Sequence, residues 1–262
     1  WQSYSSGVKF TANGNIYFRG QDVAGNISAV TEYKVSNIDK VAPTQPTASA
    51  NITSATNKDV TVTATVTDSD SGIKSTEYSF DNQTWISGTS VAVTENKTVY
   101  FKTTDYAGNT VTDSIVIGNI DKVAPTLDIT ADVITTTNGN VKLTATASDG
   151  TVEYFADGEW IVGTEHTVAN NGYYQFRVTD AAGNVTEKSI IISNIDKVAP
   201  TLDITADITT PTNGNVKLTA VASDGTVEYF DNGKWIAGTE YSVSDNGTYQ
   251  FRVTDAAGNI TE

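Results

Sequence analysis

A five-residue turn of the form Asp-x-Ala-Gly-Asn recurs along this chain and restricts it to a tandem array. It stands at Asp22–Asn26, Asp105–Asn109, Asp180–Asn184 and Asp255–Asn259, so the spacings are 105 − 22 = 83, 180 − 105 = 75 and 255 − 180 = 75 residues. A second marker, Ile-Asp-Lys-Val-Ala-Pro-Thr, occurs at Ile38–Thr44, Ile120–Thr126 and Ile195–Thr201, each time 15 or 16 residues after a turn aspartate. Self-similarity at this period means that one small unit is copied and that each copy carries its own core.

The markers divide the chain into residues 1–38, 39–120, 121–195 and 196–262. Trp1–Ser36 aligns with Trp85–Gly118, so the first segment is the C-terminal half of a repeat. The last stops before its final strand, and the chain reads as a window on a longer array. In the third repeat apolar and polar residues alternate with period two, which is the pattern of strands with one buried face. Strands are predicted over 127–133, 141–147, 151–155, 159–161, 165–169, 173–179 and 185–193. Asn138-Gly139, Asp157-Gly158 and Asn171-Gly172 are expected to supply positive-φ turn residues. No helical periodicity appears. Seven short Thr- and Val-rich strands in 75 residues fit a Greek-key β-sandwich, with Tyr174, Phe176 and Val178 inside and Arg177 outside.

Charge narrows the partners. With 31 Asp plus Glu against 16 Lys plus Arg, the net charge is −15, which repels nucleic acid and anionic lipid and attracts divalent cations. The chain has no cysteine, so the small cores have no disulfide support. No apolar run reaches the roughly 18 residues that a membrane-spanning helix requires. Trp1 and the absence of methionine fit an excerpt whose export signal was removed or lies elsewhere.

Asn170-x-Gly172-x-Tyr174-x-Phe176 and Asp245-x-Gly247-x-Tyr249-x-Phe251 carry tyrosine-corner spacing, with Phe where immunoglobulin domains place a cysteine; Val99 replaces the tyrosine in the second repeat. With the Thr-Asp-Ala-Ala-Gly-Asn hairpin and the Asp-Lys-Val-Ala-Pro-Thr linker, the chain resembles the bacterial immunoglobulin-like repeats of large surface adhesins over its whole length. The resemblance implies an all-β tandem array of immunoglobulin-like sandwiches, extracellular or on a bacterial cell surface. It implies a stalk whose partners are neighbouring repeats and, through a module outside this segment, a host or matrix surface. It also implies calcium between successive domains. The alternatives are a glycan- or matrix-binding module and an accessory domain of a secreted polysaccharide-active enzyme.

An odd number of strands brings the incoming linker, the loop between the second and third strands, and the last hairpin to one pole of each repeat. That places Asp39, Asp68, Asp70 and Asp105 together in the second repeat, Asp121, Asp149 and Asp180 in the third, and Asp196, Asp224 and Asp255 in the fourth. Converging carboxylates repel unless a cation lies between them, and an all-oxygen donor set suits calcium. The competing reading makes each turn aspartate the Asx cap of its own hairpin. Trp85, Trp160 and Trp235 recur once per repeat, as hairpin or core packing or as a sugar platform. His166 reads as a solvated surface residue. With no nucleophile motif and no phosphate loop, no catalytic residue is assigned and no enzyme is expected.

Overall fold

A computed structural model describes residues 1–262, and every regular element in it is a β-strand. Contacts group the chain into two compact units, Trp1–Val123 and Ala124–Glu262. The first holds the hairpin Gly14–Phe18/Thr31–Val35 and one complete sandwich. The second holds two sandwiches. No helix is long and apolar enough to cross a membrane.

The third repeat shows how the sequence builds each sandwich. Leu127–Ala131, Val141–Ala147 and Glu165–Val168 form a three-stranded sheet, and Glu159–Val162, Thr151–Ala156, Gly172–Thr179 and Val185–Ile192 a four-stranded one. Every pairing is antiparallel. This is the immunoglobulin-type arrangement with the fourth strand carried on the four-stranded sheet. Because alternate residues face opposite ways, Val141, Leu143 and Ala145 enter the core while Lys142 reaches outward to Glu165, 2.9 Å away. Phe176 and Val178 are fully buried, and Tyr174 and Arg177 are each half-buried. The Tyr174 hydroxyl donates to the Asn170 carbonyl at 2.7 Å, closing the tyrosine corner, and Tyr249 repeats this on Asp245 at 2.6 Å.

Two expectations are corrected. Asp157 (φ 54°) and Gly158 (φ 85°) do form a two-residue turn with both residues left-handed, the geometry that matches strand twist. Gly139 and Gly172 do not have positive φ; Gly172 opens a strand, paired with Ile192. His166 is not a solvated surface residue. It shares the inward face of its strand with Val168 and stacks on Tyr154, with ring centroids 4.4 Å apart. Burial therefore depresses its pKa below 6.5, opposed in part by the charge of Asp157. Tyr241 takes the same place in the fourth repeat, stacked on Tyr229.

Trp160 and Trp235 lie in the hairpin strand at the edge of the four-stranded sheet, and Trp85 stands just before the corresponding strand of the second repeat. The Arg177 guanidinium sits 4.5 Å over the Trp160 ring while its Nε donates to Glu153 at 2.7 Å, and Phe155 meets the ring edge-on. Arg252, Trp235, Glu228 and Phe230 repeat the arrangement, and Lys102, Trp85 and Glu77 form its lysine version. Each such stack adds on the order of 0.5–1 kcal/mol to an exposed sheet face.

The third and fourth repeats differ in how much of the closing strand lies within the 262 residues. Ten residues are buried in the third repeat's core, with Ile190, Ile192 and Ile195 packed into it. In the fourth, where the closing strand is Ile260–Thr261, the core cluster is Ala220, Val227, Phe251 and Val253, with Val243 also buried. Val216 and Leu218 are half-buried there, whereas their counterparts Val141 and Leu143 are fully buried.

Candidate metal and linker site

At the leading pole of the second repeat, Asp39 from the linker, Asp68 from the loop after the second strand and Asp105 at the hairpin each present a carboxylate oxygen, all within 4.8 Å of one another. Asp105 is fully buried and the other two are half-buried. The long loop makes this possible. Its chain bends back at Gly72 (φ 83°), so that the Ser71 amide donates to Asp39 Oδ2 at 3.1 Å and the Gly72 amide to Asp68 Oδ2. The Ser71 side chain, and then the Val41 amide, hold the Asp39 carboxyl below the usual carboxylate range by hydrogen bonding. No lysine or arginine forms an ion pair with any of the three. Three close carboxylates with no protein cation form a hard-oxygen donor set that fits calcium. Asp70 stands beside them, exposed, in the wall of a cleft lined also by Asn13, Asn37 and Ser71.

The shorter loops behave differently. Asp149 and Asp224 are exposed, and each turns its carboxylate onto the amide of the next residue, Gly150 or Gly225, at 2.7 Å. Those glycines have φ near 90° and lie against the backbone of the last hairpin, so the loop has no slack to fold over the linker. Within the fourth repeat, Asp196, Asp224 and Asp255 do not form a group of the kind that Asp39, Asp68 and Asp105 form. Asp121 and Asp196 accept from the amides of Val123 and Val198, at 2.9 and 3.0 Å.

Asp180 and Asp255 are nine-tenths buried and cap their own turns. Asp180 accepts from the Ala182 and Asn184 amides and from Asn184 Nδ2, and Asp255 from Ala257 and Asn259 in the same way. The side-chain bond from the turn asparagine is the largest cause of their depressed pKa values, as it is for Asp22. Asp105 makes the same bonds to Asn109 at 2.8 Å. Each carboxylate oxygen has a second lone pair, so capping and metal ligation are compatible at Asp105.

Sequence reasoning missed the asparagines. Asn109 and Asn259 cap the turn and also donate to linker carbonyls, Asp39 and Val41 in one case and Asp196 and Val198 in the other. Asn96 and Asn171 bind the backbone of Ile120 and Ile195 at the opposite pole. The signal was present: an asparagine precedes each linker isoleucine, at Asn37, Asn119 and Asn194.

No protein-family model and no curated protein matches the chain. Solved structures overlap it at low identity. Fibronectin(III)-like modules of Clostridium thermocellum CbhA are 22% identical, with 58% of this chain and 95% of that chain covered and a TM-score of 0.33. A structure from a 1.5-MDa bacterial ice-binding adhesin, described for host cell surface retention, is 19% identical over 78% of this chain and 88% of its own, with a TM-score of 0.40. A tetra-tandem repeat in the extending region of a large adhesion protein is 17% identical over 95% and 79%, with a TM-score of 0.27.

Proposed function

We propose that this chain is a structural spacer: extracellular immunoglobulin-like repeats of a bacterial surface adhesin that carry a distal module away from the cell. The observation that carries this reading is the linker. Ile120 and Ile195 are buried in the repeat that precedes them, and Asn109 and Asn259 tie the linkers that begin at Asp39 and Asp196 to the repeat that follows. Between the third and fourth repeats the Asn138 amide also donates directly to the Ala257 carbonyl at 3.1 Å. A linker absorbed into both neighbours, as the one from Ile195 to Val198 is, restricts bending, which a spacer needs and an independent binding module does not. A sugar platform on Trp160 is disfavoured because Arg177 covers a ring face.

Calcium is part of the proposal. Asp39, Asp68 and Asp105 would hold it, and its charge would offset their mutual repulsion and fix the linker at Asp39 against the second repeat. Affinity on the order of 10⁻⁴ to 10⁻³ M is expected, as in other extracellular modules. The test is small-angle scattering and calorimetric titration of the whole chain with calcium and with chelator. The spacer reading expects a single extended maximum dimension. A collapsed or broadly distributed dimension in calcium would overturn it. Calcium binding that survives Asp68→Asn and Asp39→Asn would refute the assignment of the ligands.

A further inference from the structure

The segment that leaves each repeat is held by one set of hydrogen bonds, present in both complete repeats. In the third, Thr137 pairs in parallel with Ile195: its amide donates to the Asn194 carbonyl and its carbonyl accepts from the Asp196 amide, both at 2.9 Å. Asn171 grips the same isoleucine from the other side. Its Oδ1 accepts from the Ile195 amide at 2.9 Å and its Nδ2 donates to the Ile195 carbonyl at 2.8 Å. Asn194 Nδ2 donates to the carbonyls of Val133 and Thr135, at 3.1 and 2.8 Å. Ile195 itself is 8% exposed and belongs to the core.

The second repeat reproduces every one of these contacts. Thr56 pairs in parallel with Ile120, Asn96 grips Ile120 at 2.9 Å in both directions, and Asn119 donates to Ile52 and Ser54. In the first segment Asn13 Oδ1 accepts from the Ile38 amide at 2.8 Å.

We propose that the Asn-Ile-Asp exit segment is a force-bearing latch that sets the mechanical strength of each repeat. The inference rests on the spacer reading, since only a chain under load needs such a device. Tension reaches the third repeat through its first strand and leaves through Asp196. The exit segment pairs in parallel with Thr137, in the stretch that continues from that first strand, and its Asn194 side chain holds Val133 and Thr135 of the same stretch, so tension along the chain loads these hydrogen bonds together. The antiparallel closing strand, Val185–Ile192, can peel from Gly172–Thr179 one bond at a time, but only after the exit segment has come free. The latch therefore stands before the weaker step. Forced unfolding is governed by the unfolding rate, and that rate is set by contacts broken on the way to the transition state.

The test holds the 262-residue chain by its two ends at constant force. The second and third repeats are distinguishable because their linker aspartates are 121 − 39 = 82 and 196 − 121 = 75 residues apart. The 7-residue difference is about 25 Å of extended chain. Asn171→Asp keeps the acceptor for the Ile195 amide but removes the donor and sets a charge against the Ile195 carbonyl. It should raise the unfolding rate of the shorter step about tenfold, equivalent to about 1.4 kcal/mol at the barrier, and leave the longer step unchanged. Asn96→Asp should do the reverse. Asn194→Ala, which removes the bonds to Val133 and Thr135 while sparing Asn171, should also accelerate only the shorter step. Val178→Ala, a core change away from the exit segment, calibrates ordinary destabilisation. If the Asn171 and Asn194 variants leave the shorter step unchanged, or accelerate it no more than Val178→Ala does for the same loss of equilibrium stability, the latch is wrong. Neither outcome alters the scattering dimension that tests the spacer reading.

Discussion

In the 262-residue chain, Leu143→Ala and Leu218→Ala are the same substitution in two copies of one strand, and their costs should differ because residues 121–195 include a closing strand of eight residues and an exit segment whereas residues 196–262 include two residues of that strand. Leu143 is fully buried, with Ile190, Ile192 and Ile195 packed into its cluster, so truncation removes apolar burial and leaves a cavity. Such changes cost 2–5 kcal/mol, and about 3 kcal/mol is a reasonable value here. Leu218 is half-buried beside a cleft lined by Val216, Val243 and Tyr249, so about half of the transfer contribution is lost and water fills the space. That leaves about 1 kcal/mol. The difference of about 2 kcal/mol corresponds to roughly 10 °C in the melting temperature of a domain this size. Hydrogen exchange at Gly172–Thr179 and at Phe251–Thr254 reads the two repeats separately. Losses that agree to within about 0.5 kcal/mol, the ordinary scatter of surface substitutions, would refute the claim that closing strand and exit segment complete the core.

Two further outcomes follow from single positions. His166 has its pKa depressed from 6.5 by burial, so the unfolded chain binds its proton more readily than the folded one. The third repeat should keep full stability above about pH 6.5 and lose part of it as the pH falls through the folded value. His166→Tyr, the residue found at 241, should abolish that loss in hydrogen exchange at Gly172–Thr179, and an unchanged pH profile would refute the assignment. Gly150→Ala would place a Cβ 2.5 Å from the Thr179 carbonyl oxygen at φ 88°, and the same change at Gly139 meets only a Thr137 hydroxyl at 3.3 Å. The first should lower the melting temperature by the equivalent of about 2 kcal/mol or more, the second by less than about 1 kcal/mol.

The sequence by itself determined the repeat, the strand register and the inward residues, because these depend on local alternation and turn chemistry. Strands expected at 141–147 and 173–179 are found at Val141–Ala147 and Gly172–Thr179, and Phe176, Val178 and the tyrosine corner lie where the spacing puts them. It also led to the expectation that the acids of each repeat share one pole, and in the second repeat Asp39, Asp68 and Asp105 do come together. Only the tertiary structure decided what those acids do. Asp68 joins Asp39 and Asp105 because a longer loop can fold back over the linker, whereas Asp149 and Asp224 are drawn onto their own glycine amides by a tight turn. His166 became an inward aromatic partner because its strand faces Tyr154 across the sandwich, a proximity that period-two alternation does not encode. The grip of Asn171 on Ile195 spans 24 residues, and that of Asn194 on Val133 spans 61. Such pairings form only once the two sheets have closed, so the residues that hold the linkers were visible in the sequence only as repeated letters.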